Sequence, residues 1–250
     1  MAVDLTGRSA LVTGGGTGVG AAIAEALAQA GAQVTITGRR MEPLAAFAAQ
    51  HDNIKPFVGD VTDRASLDAA FKAAGPVSIA IANAGTAESQ PFGRISGEDW
   101  QATLDVNLTG VFNTFQCGLE TMSQSNSGRM IAIASSAGLK GYGYVSAYTA
   151  AKHGVVGLVR SLAIELAGKR ITVNAICPGY TQTPMLERTL DNISIKTGNS
   201  LDEAAAMLLE DLPTGKFVQP EEIAAEVLRL CSEEASSITG RAIAMPEGIA

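Results

Sequence analysis

The sequence predicts an α/β protein built as one doubly wound parallel sheet. Three observations carry this. Short apolar stretches alternate with helical ones from the first residues onward, the pattern of successive βαβ units. A glycine-rich turn, TGGGTGVG, lies between the first strand and the first helix. No linker, internal repeat or low-complexity tract divides the 250 residues, so residues 1–250 are expected to form a single domain with one substantial core.

The elements follow in order. SALVT (9–13) reads as a strand, and Val19 to Ala30 as an alanine-rich helix stopped by Gly31. QVTIT (33–37) is the second strand, followed by a helix over roughly 41–50. KPFVGDV (55–61) is the third and VSIAIANAG (77–85) the fourth. Long helices over about 97–122 and 146–168 flank a fifth strand, RMIAIAS (129–135). ITVNAICPG (171–179) is the sixth, and SITGRAIAM (237–245) closes the sheet. The irregular region is 180–218, rich in methionine and leucine, with two short helical patterns. An insertion beyond a strand's carboxyl end is where such sheets bind ligands, which makes it a candidate substrate lid.

Composition narrows the class. Apolar residues make up 46% and charged residues 17%, an ordinary globular balance. A net charge of −7 with scattered Lys and Arg argues against nucleic acid and against an anionic membrane surface. No apolar run approaches the ~20 residues of a spanning helix, and no signal-type segment precedes the first strand. Cys117, Cys177 and Cys231 are widely spaced in apolar segments, which reads as reduced core thiols in a cytoplasmic protein. With two histidines, His51 and His153, no metal site is expected.

Tyr148 and Lys152 share one helix face, one turn apart. An ammonium held beside a phenol favours the phenolate. Bringing a tyrosine from pKa ~10 to near neutral takes about 4 kcal/mol, so the pair reads as a general acid/base for carbonyl or alcohol chemistry. Thr13, Gly14, Thr17, Gly18 and Gly20 form the first turn, where glycines admit positive φ and backbone amides approach a pyrophosphate at a helix N-terminus. The second strand ends in Gly38-Arg39-Arg40, without the Asp or Glu that commonly bonds the ribose of NAD. Arg39 suits a 2′-phosphate, so NADP(H) is the expected cofactor, with NAD(H) the alternative if Arg39 only covers the adenine or is a solvated helix-entry charge. Asp60 and Val61 end the third strand, placed to meet the adenine edge, unless Asp60 and Thr62 only cap the next helix.

With these motifs in order, the chain resembles the short-chain dehydrogenase/reductase family from about residue 5 to 245. The resemblance is carried by TGGGTGVG, GDVTD, NAG, LDVNLTGVF, Ser135, YTAAK and PGYTQT. It implies a Rossmann fold, usually tetrameric, and a catalytic set at Asn107, Ser135, Tyr148 and Lys152. Ser135 is preferred to Ser136 because it precedes Tyr148 by thirteen residues and is followed by the pattern xxG. In the family's mechanism the tyrosine protonates the carbonyl oxygen, the serine bonds it, the lysine lowers the tyrosine pKa and bonds the nicotinamide ribose, and the asparagine holds a proton-relay water. The resemblance also places Asn83 and Gly85 at the ribose, and Pro178, Gly179, Thr181 and Thr183 near the carboxamide.

The late segments are similar to the 3-hydroxybutyrate dehydrogenase branch, but Ala87 and Ala137 stand where that branch places Gln and His for a substrate carboxylate. Leu139, Tyr142 and Tyr144, with Met185, Leu186, Leu190, Met207 and Leu208, suggest a more apolar pocket. The expected substrate is a small-molecule ketone or secondary alcohol such as a 3-oxoacyl thioester, whose carrier phosphate Lys140 could meet. The alternatives are an NAD-dependent 3-hydroxy-acid dehydrogenase and a non-catalytic cofactor-binding regulator. The ending AIAMPEGIA departs from the family's Asp-Gly-Gly turn, at an end that often lies at a subunit interface.

Overall fold

A computed structural model describes residues 3–246 except 211 and 213. Seven parallel strands form one sheet: β1 (Ser9–Thr13), β2 (Gln33–Gly38), β3 (Ile54–Val58), β4 (Ile79–Ala82), β5 (Ser127–Ile133), β6 (Arg170–Pro178) and β7 (Ala242–Met245). Their spatial order is β3-β2-β1-β4-β5-β6-β7. The chain leaves β1 toward β2 and returns past it to β4, so the direction of winding reverses between β1 and β4. A crevice opens there, beyond the carboxyl ends of the strands, where ligands of such sheets bind.

Both faces of the sheet are covered, which is why its strands are nearly continuous apolar runs. Alternation sends neighbouring residues to opposite sides: Val12 and Ile131 join one core, Leu11 and Met130 the other. The first face packs under α1 (Gly18–Gln29), α2 (Met41–Ala48) and α9 (Pro220–Cys231), through Ile23, Leu27, Leu44 and Val227. The second packs under α3 (Arg64–Ala74), α5 (Gly110–Ser125) and α6 (Ser146–Glu165), through Leu67, Phe71, Phe115 and Val155. The remaining helices are α4 (Gly97–Leu104), α7 (Pro184–Thr197) and α8 (Leu201–Glu210). The last two are the pair expected within 180–218.

Local signals set the boundaries. Asp63 caps α3 by accepting the Ala65 amide, and Gly75 ends it at φ 78°. Asp60 does not cap that helix: its carboxylate accepts the Thr62 amide and hydroxyl at 2.9 and 2.8 Å. Thr183 caps α7, with Pro184 in its first turn.

The largest departure from the sequence reading is the helix expected over 97–122. It is α4 and α5 joined by a π-helical turn, Asp105–Thr109. Asn107 sits in that turn, fully buried, and its amide donates to its own Thr103 carbonyl at 3.0 Å. A side chain competing with the backbone in this way loosens the regular ladder. Strand β4 ends at Ala82 rather than Gly85, β3 at Val58 rather than Val61, and β7 is confined to Ala242–Met245. The backbone beyond Ala82 and Val58 leaves the sheet at its carboxyl end, on the side of the crevice, whereas β7 is shortened at its amino end. Residues 247–250 of the ending AIAMPEGIA lie outside the described residues.

Candidate active site

The floor of the crevice is a clasp between β1 and β4. The buried Thr13 hydroxyl donates to the Ile81 carbonyl at 3.3 Å and accepts the Asn83 and Ala84 amides at 3.0 and 3.1 Å. In return the Asn83 side chain donates to the Thr13 and Gly14 carbonyls at 2.9 and 3.2 Å. Close approach makes the glycines obligatory. A Cβ on Gly20 would lie 2.2 Å from the Gly14 oxygen and 2.5 Å from Asn83 Nδ2. Gly14 and Gly18 adopt φ values of 66° and 55°, open to glycine at little cost.

Helix α1 begins at this turn with the exposed Thr17 as its N-cap residue and no side-chain cap on its first amides. Uncapped amides at a twelve-residue helix present partial positive charge, the arrangement that suits a phosphate. The exit of β6 comes to the same place. Thr183 lies 3.4 Å from where a Gly18 Cβ would be, and Thr181 and Thr183 fold Pro178–Pro184 through bonds to the Gly179 and Thr181 carbonyls. Arg39 and Arg40 follow β2, exposed, and neither is in an ion pair among the described residues. Asp60 is half-buried, and Val61 is buried against α5, where a Gly110 Cβ would come within 2.7 Å. The Val61 side chain therefore packs in the core against α5. The glycine cradle, the uncapped helix and the free Arg39 fit a dinucleotide carrying phosphate groups.

The second half of the site lies beyond β4, β5 and β6. Ser135 is half-buried at the entry to a 3-10 turn (Ser136–Gly138), and its hydroxyl accepts the Ala137 amide at 3.1 Å. The Ser135 hydroxyl lies near enough to the Tyr148 phenol to favour its ionised form. Ser136 is buried, and its hydroxyl is engaged with that of Tyr142 at 2.8 Å. The geometry thus favours Ser135 over its neighbour.

Helix α6 carries Tyr148 and the buried Lys152, whose Nζ lies 5.5 Å from the centre of the tyrosine ring and donates to the Ile133 carbonyl at 2.9 Å. Gly85 closes the group: a Cβ there would be 3.7 Å from Lys152 Nζ and 2.9 Å from Asn107 Oδ1. Asn107 holds this loop by accepting the Thr86 amide at 3.1 Å and donating to the Thr86 carbonyl at 2.9 Å.

Burial dominates the electrostatics of this pair in the cofactor-free chain. It pushes the Tyr148 phenol up to about 12, against the pull of the Ser135 hydroxyl. Burial likewise brings Lys152 down to about 8. The ammonium sits over the ring face rather than at the hydroxyl, and both groups bear the cost of leaving water. Beneath them Cys177 is a buried free thiol pushed up to about 11, mainly by burial.

Sequence reasoning missed Tyr180, which meets Tyr142 edge-on at 6.3 Å between ring centres and joins the serine loop to the root of α7. Its signal was an aromatic residue directly after Pro178-Gly179. Ala137 is buried, whereas Ala87 is exposed. Leu186 is buried in α7, and Met207 is about half exposed on α8. His153 is exposed, and no cluster of metal-ligating side chains occurs among the described residues. No described helix is long and apolar enough to cross a membrane.

The family model described as short chain dehydrogenase matches residues 8–194, three quarters of the chain and both halves of this site. The chain belongs to the short chain dehydrogenase family. Within it, the chain is 32% identical over 253 residues to a 3-oxoacyl-acyl-carrier-protein reductase of Thermotoga maritima, covering 98% of each. It is 35% identical over 245 residues to a D-beta-hydroxybutyrate dehydrogenase of Cupriavidus necator, covering 94% of this chain and 95% of the other. Among solved structures, an actinorhodin polyketide ketoreductase variant with NADPH superposes with a TM-score of 0.94 at 32% identity, covering 100% and 99%. As a short chain dehydrogenase, the chain is an NAD(P)-dependent oxidoreductase of alcohol and carbonyl groups.

Proposed function

We propose that the protein is an NADP(H)-dependent reductase of a ketone on a medium-sized, partly apolar molecule, a 3-oxoacyl thioester being the first choice. The observation that carries this reading is the convergence of Ser135, Tyr148 and Lys152 beside Gly85, at the mouth of a glycine-lined crevice. When bound, the nicotinamide supplies the hydride. Thr13, Gly14, Thr17, Gly18 and Gly20 would hold its diphosphate, with Asp60, Val61, Asn83, Gly85, Pro178, Gly179, Thr181 and Thr183 lining the rest. Arg39 would pair with a 2′-phosphate through charge-assisted hydrogen bonds.

The residues divide the proton work. With its phenol near 12, Tyr148 is fully protonated at neutral pH and is ready to give its proton to the oxygen that gains charge. The Ser135 hydroxyl donates to the same oxygen and stabilises the transition state. Lys152, in its charged form, offsets the phenolate left behind. Asn107 fixes the 84–86 backbone beside Lys152 and keeps a carbonyl lone pair for a water that returns the proton. Leu139, Tyr142 and Tyr180 supply an apolar wall, and α7 and α8 act as the substrate lid.

Loss of nicotinamide absorbance with acetoacetyl-coenzyme A, run with NADPH and NADH, tests this. We expect turnover with NADPH, and an Arg39→Ala loss of about 10- to 100-fold in kcat/KM for NADPH alone, the worth of one charged hydrogen-bonded contact. Turnover with NADH only would reverse the cofactor reading and favour the second one, an NAD-dependent 3-hydroxy-acid dehydrogenase, which the likeness to the Cupriavidus necator enzyme supports. A homotetramer in the cytoplasm is the setting we infer. Exposed Phe112 on α5 and Ile164 on α6 offer apolar contacts for assembly, and light scattering at the exit of a sizing column checks it.

A further inference from the structure

A second cavity opens at the opposite end of the sheet, by the amino ends of β5 and β6. It has a volume of about 330 Å³ and is lined by Ser127, Arg129, Lys169, Arg170, Glu233 and Ser236. Ser127 and Arg170 are paired across the two strand starts, so the cavity lies a full strand length from Ser135 and Pro178.

Arg129 is the unusual member. Its side chain is only 3% exposed, with Nη1 donating to the Gly128 carbonyl at 3.1 Å and Nη2 to the Ser232 carbonyl at 3.2 Å, and Nε is buried without a partner. The carboxylate nearest to it, Glu233, stands 3.8 Å away and is 91% exposed, too solvated to neutralise a buried guanidinium well. Arg8 adds to the imbalance. Its guanidinium is half-buried on the Cys231 and Ser78 carbonyls, and burial first, then Arg129, pull its pKa down. Lys169 and Arg170 bring two more cations to the rim. In a chain of net charge −7, three cations thus line the cavity with one exposed carboxylate, and Arg8 stands close behind Arg129.

A desolvated charge of this kind needs a counter-ion and a hydrogen-bond acceptor. We propose that this cavity is a binding site for a small phosphate-type oxyanion, held by Arg129, Lys169 and Arg170 with the Ser127 and Ser236 hydroxyls as further donors. It is separate from the dinucleotide crevice, and its occupant acts on stability rather than on the reaction.

The test is a thermal-unfolding titration with inorganic phosphate against chloride at matched ionic strength, with saturating NADPH present to occupy the crevice. Wild-type protein should gain several degrees in Tm with a saturable dependence on phosphate, since an occupant that binds only the folded state stabilises by mass action. The exposed double variant K169A/R170A should need at least tenfold more phosphate for the same gain, and Arg129→Gln should lose the saturable part. General salting effects of phosphate move all variants alike. Equal titrations for wild type and K169A/R170A would therefore overturn the site even if Arg129→Gln fails to fold. A parallel titration with glycerol phosphate separates a site for free oxyanion from one that takes a phosphate monoester; the same variants must weaken whichever binds.

Discussion

Replacing Lys152 by Met should make the protein more stable at neutral pH while removing its activity. In the folded chain burial lowers the ammonium from 10.5 to about 8. A depressed lysine means that the unfolded chain binds the proton more tightly, so folding is penalised wherever the unfolded lysine is charged. The full penalty applies below about pH 8 and fades as pH rises toward 10.5. At 1.36 kcal/mol per pKa unit it amounts to about 3 kcal/mol. The variant also loses the Nζ bond to the Ile133 carbonyl, worth about 1 kcal/mol. Met fills nearly the same unbranched volume, so packing changes little. The net expectation is a gain of about 2 kcal/mol at pH 7, or about 4–8 °C in Tm for a chain of this length. Toward pH 10.5 the sign should reverse to a loss of about 1 kcal/mol. Urea unfolding of both proteins at pH 7, 8.5 and 10 reads this directly. A variant less stable than wild type at pH 7, or a difference that stays constant over that range, would refute the desolvation argument.

Four other outcomes follow from the site. Tyr148→Phe should bind NADPH unchanged and lose about 10²- to 10⁴-fold in turnover, measured by cofactor fluorescence and initial rates. In the unliganded protein, the difference in tyrosinate absorbance between wild type and that variant should show no Tyr148 ionisation below about pH 10. Asn107→Ala removes two bonds to the backbone of Thr86, which is exposed so that water can replace them, and should cost about 1 kcal/mol in urea unfolding. Gly20→Ala puts a methyl carbon against the Gly14 carbonyl, so NADPH affinity in a fluorescence titration should fall about tenfold or more, with lowered stability.

Most of the architecture was legible because strand and helix periodicities differ so clearly in this chain. The glycine turn and the Tyr148/Lys152 spacing placed both halves of the site. What the sequence could not carry was set by tertiary contact. At the break in the helix, the Asn107 side chain is shared between the Thr103 carbonyl of its own helix and the Thr86 backbone of another segment, a contact that no local pattern announces. The tyrosine's acidity depended on burial, which residue spacing does not encode. Tyr180 drew no notice because its partner, Tyr142, lies 38 residues earlier, on a different loop.

The clasp between Thr13 and Asn83 joins residues seventy positions apart in the chain. The glycine turn is thus held from both sides, by β2 through the Gly14 and Gly15 amides on the Thr37 carbonyl and by β4 through Asn83. The β4 side of that hold closes late in folding because its contacts are remote in sequence. Ligand binding should slow hydrogen exchange of the Asn83 and Ala84 amides more than that of residues on the outer strand β3, and the enzyme's memory of its cofactor resides in that seam.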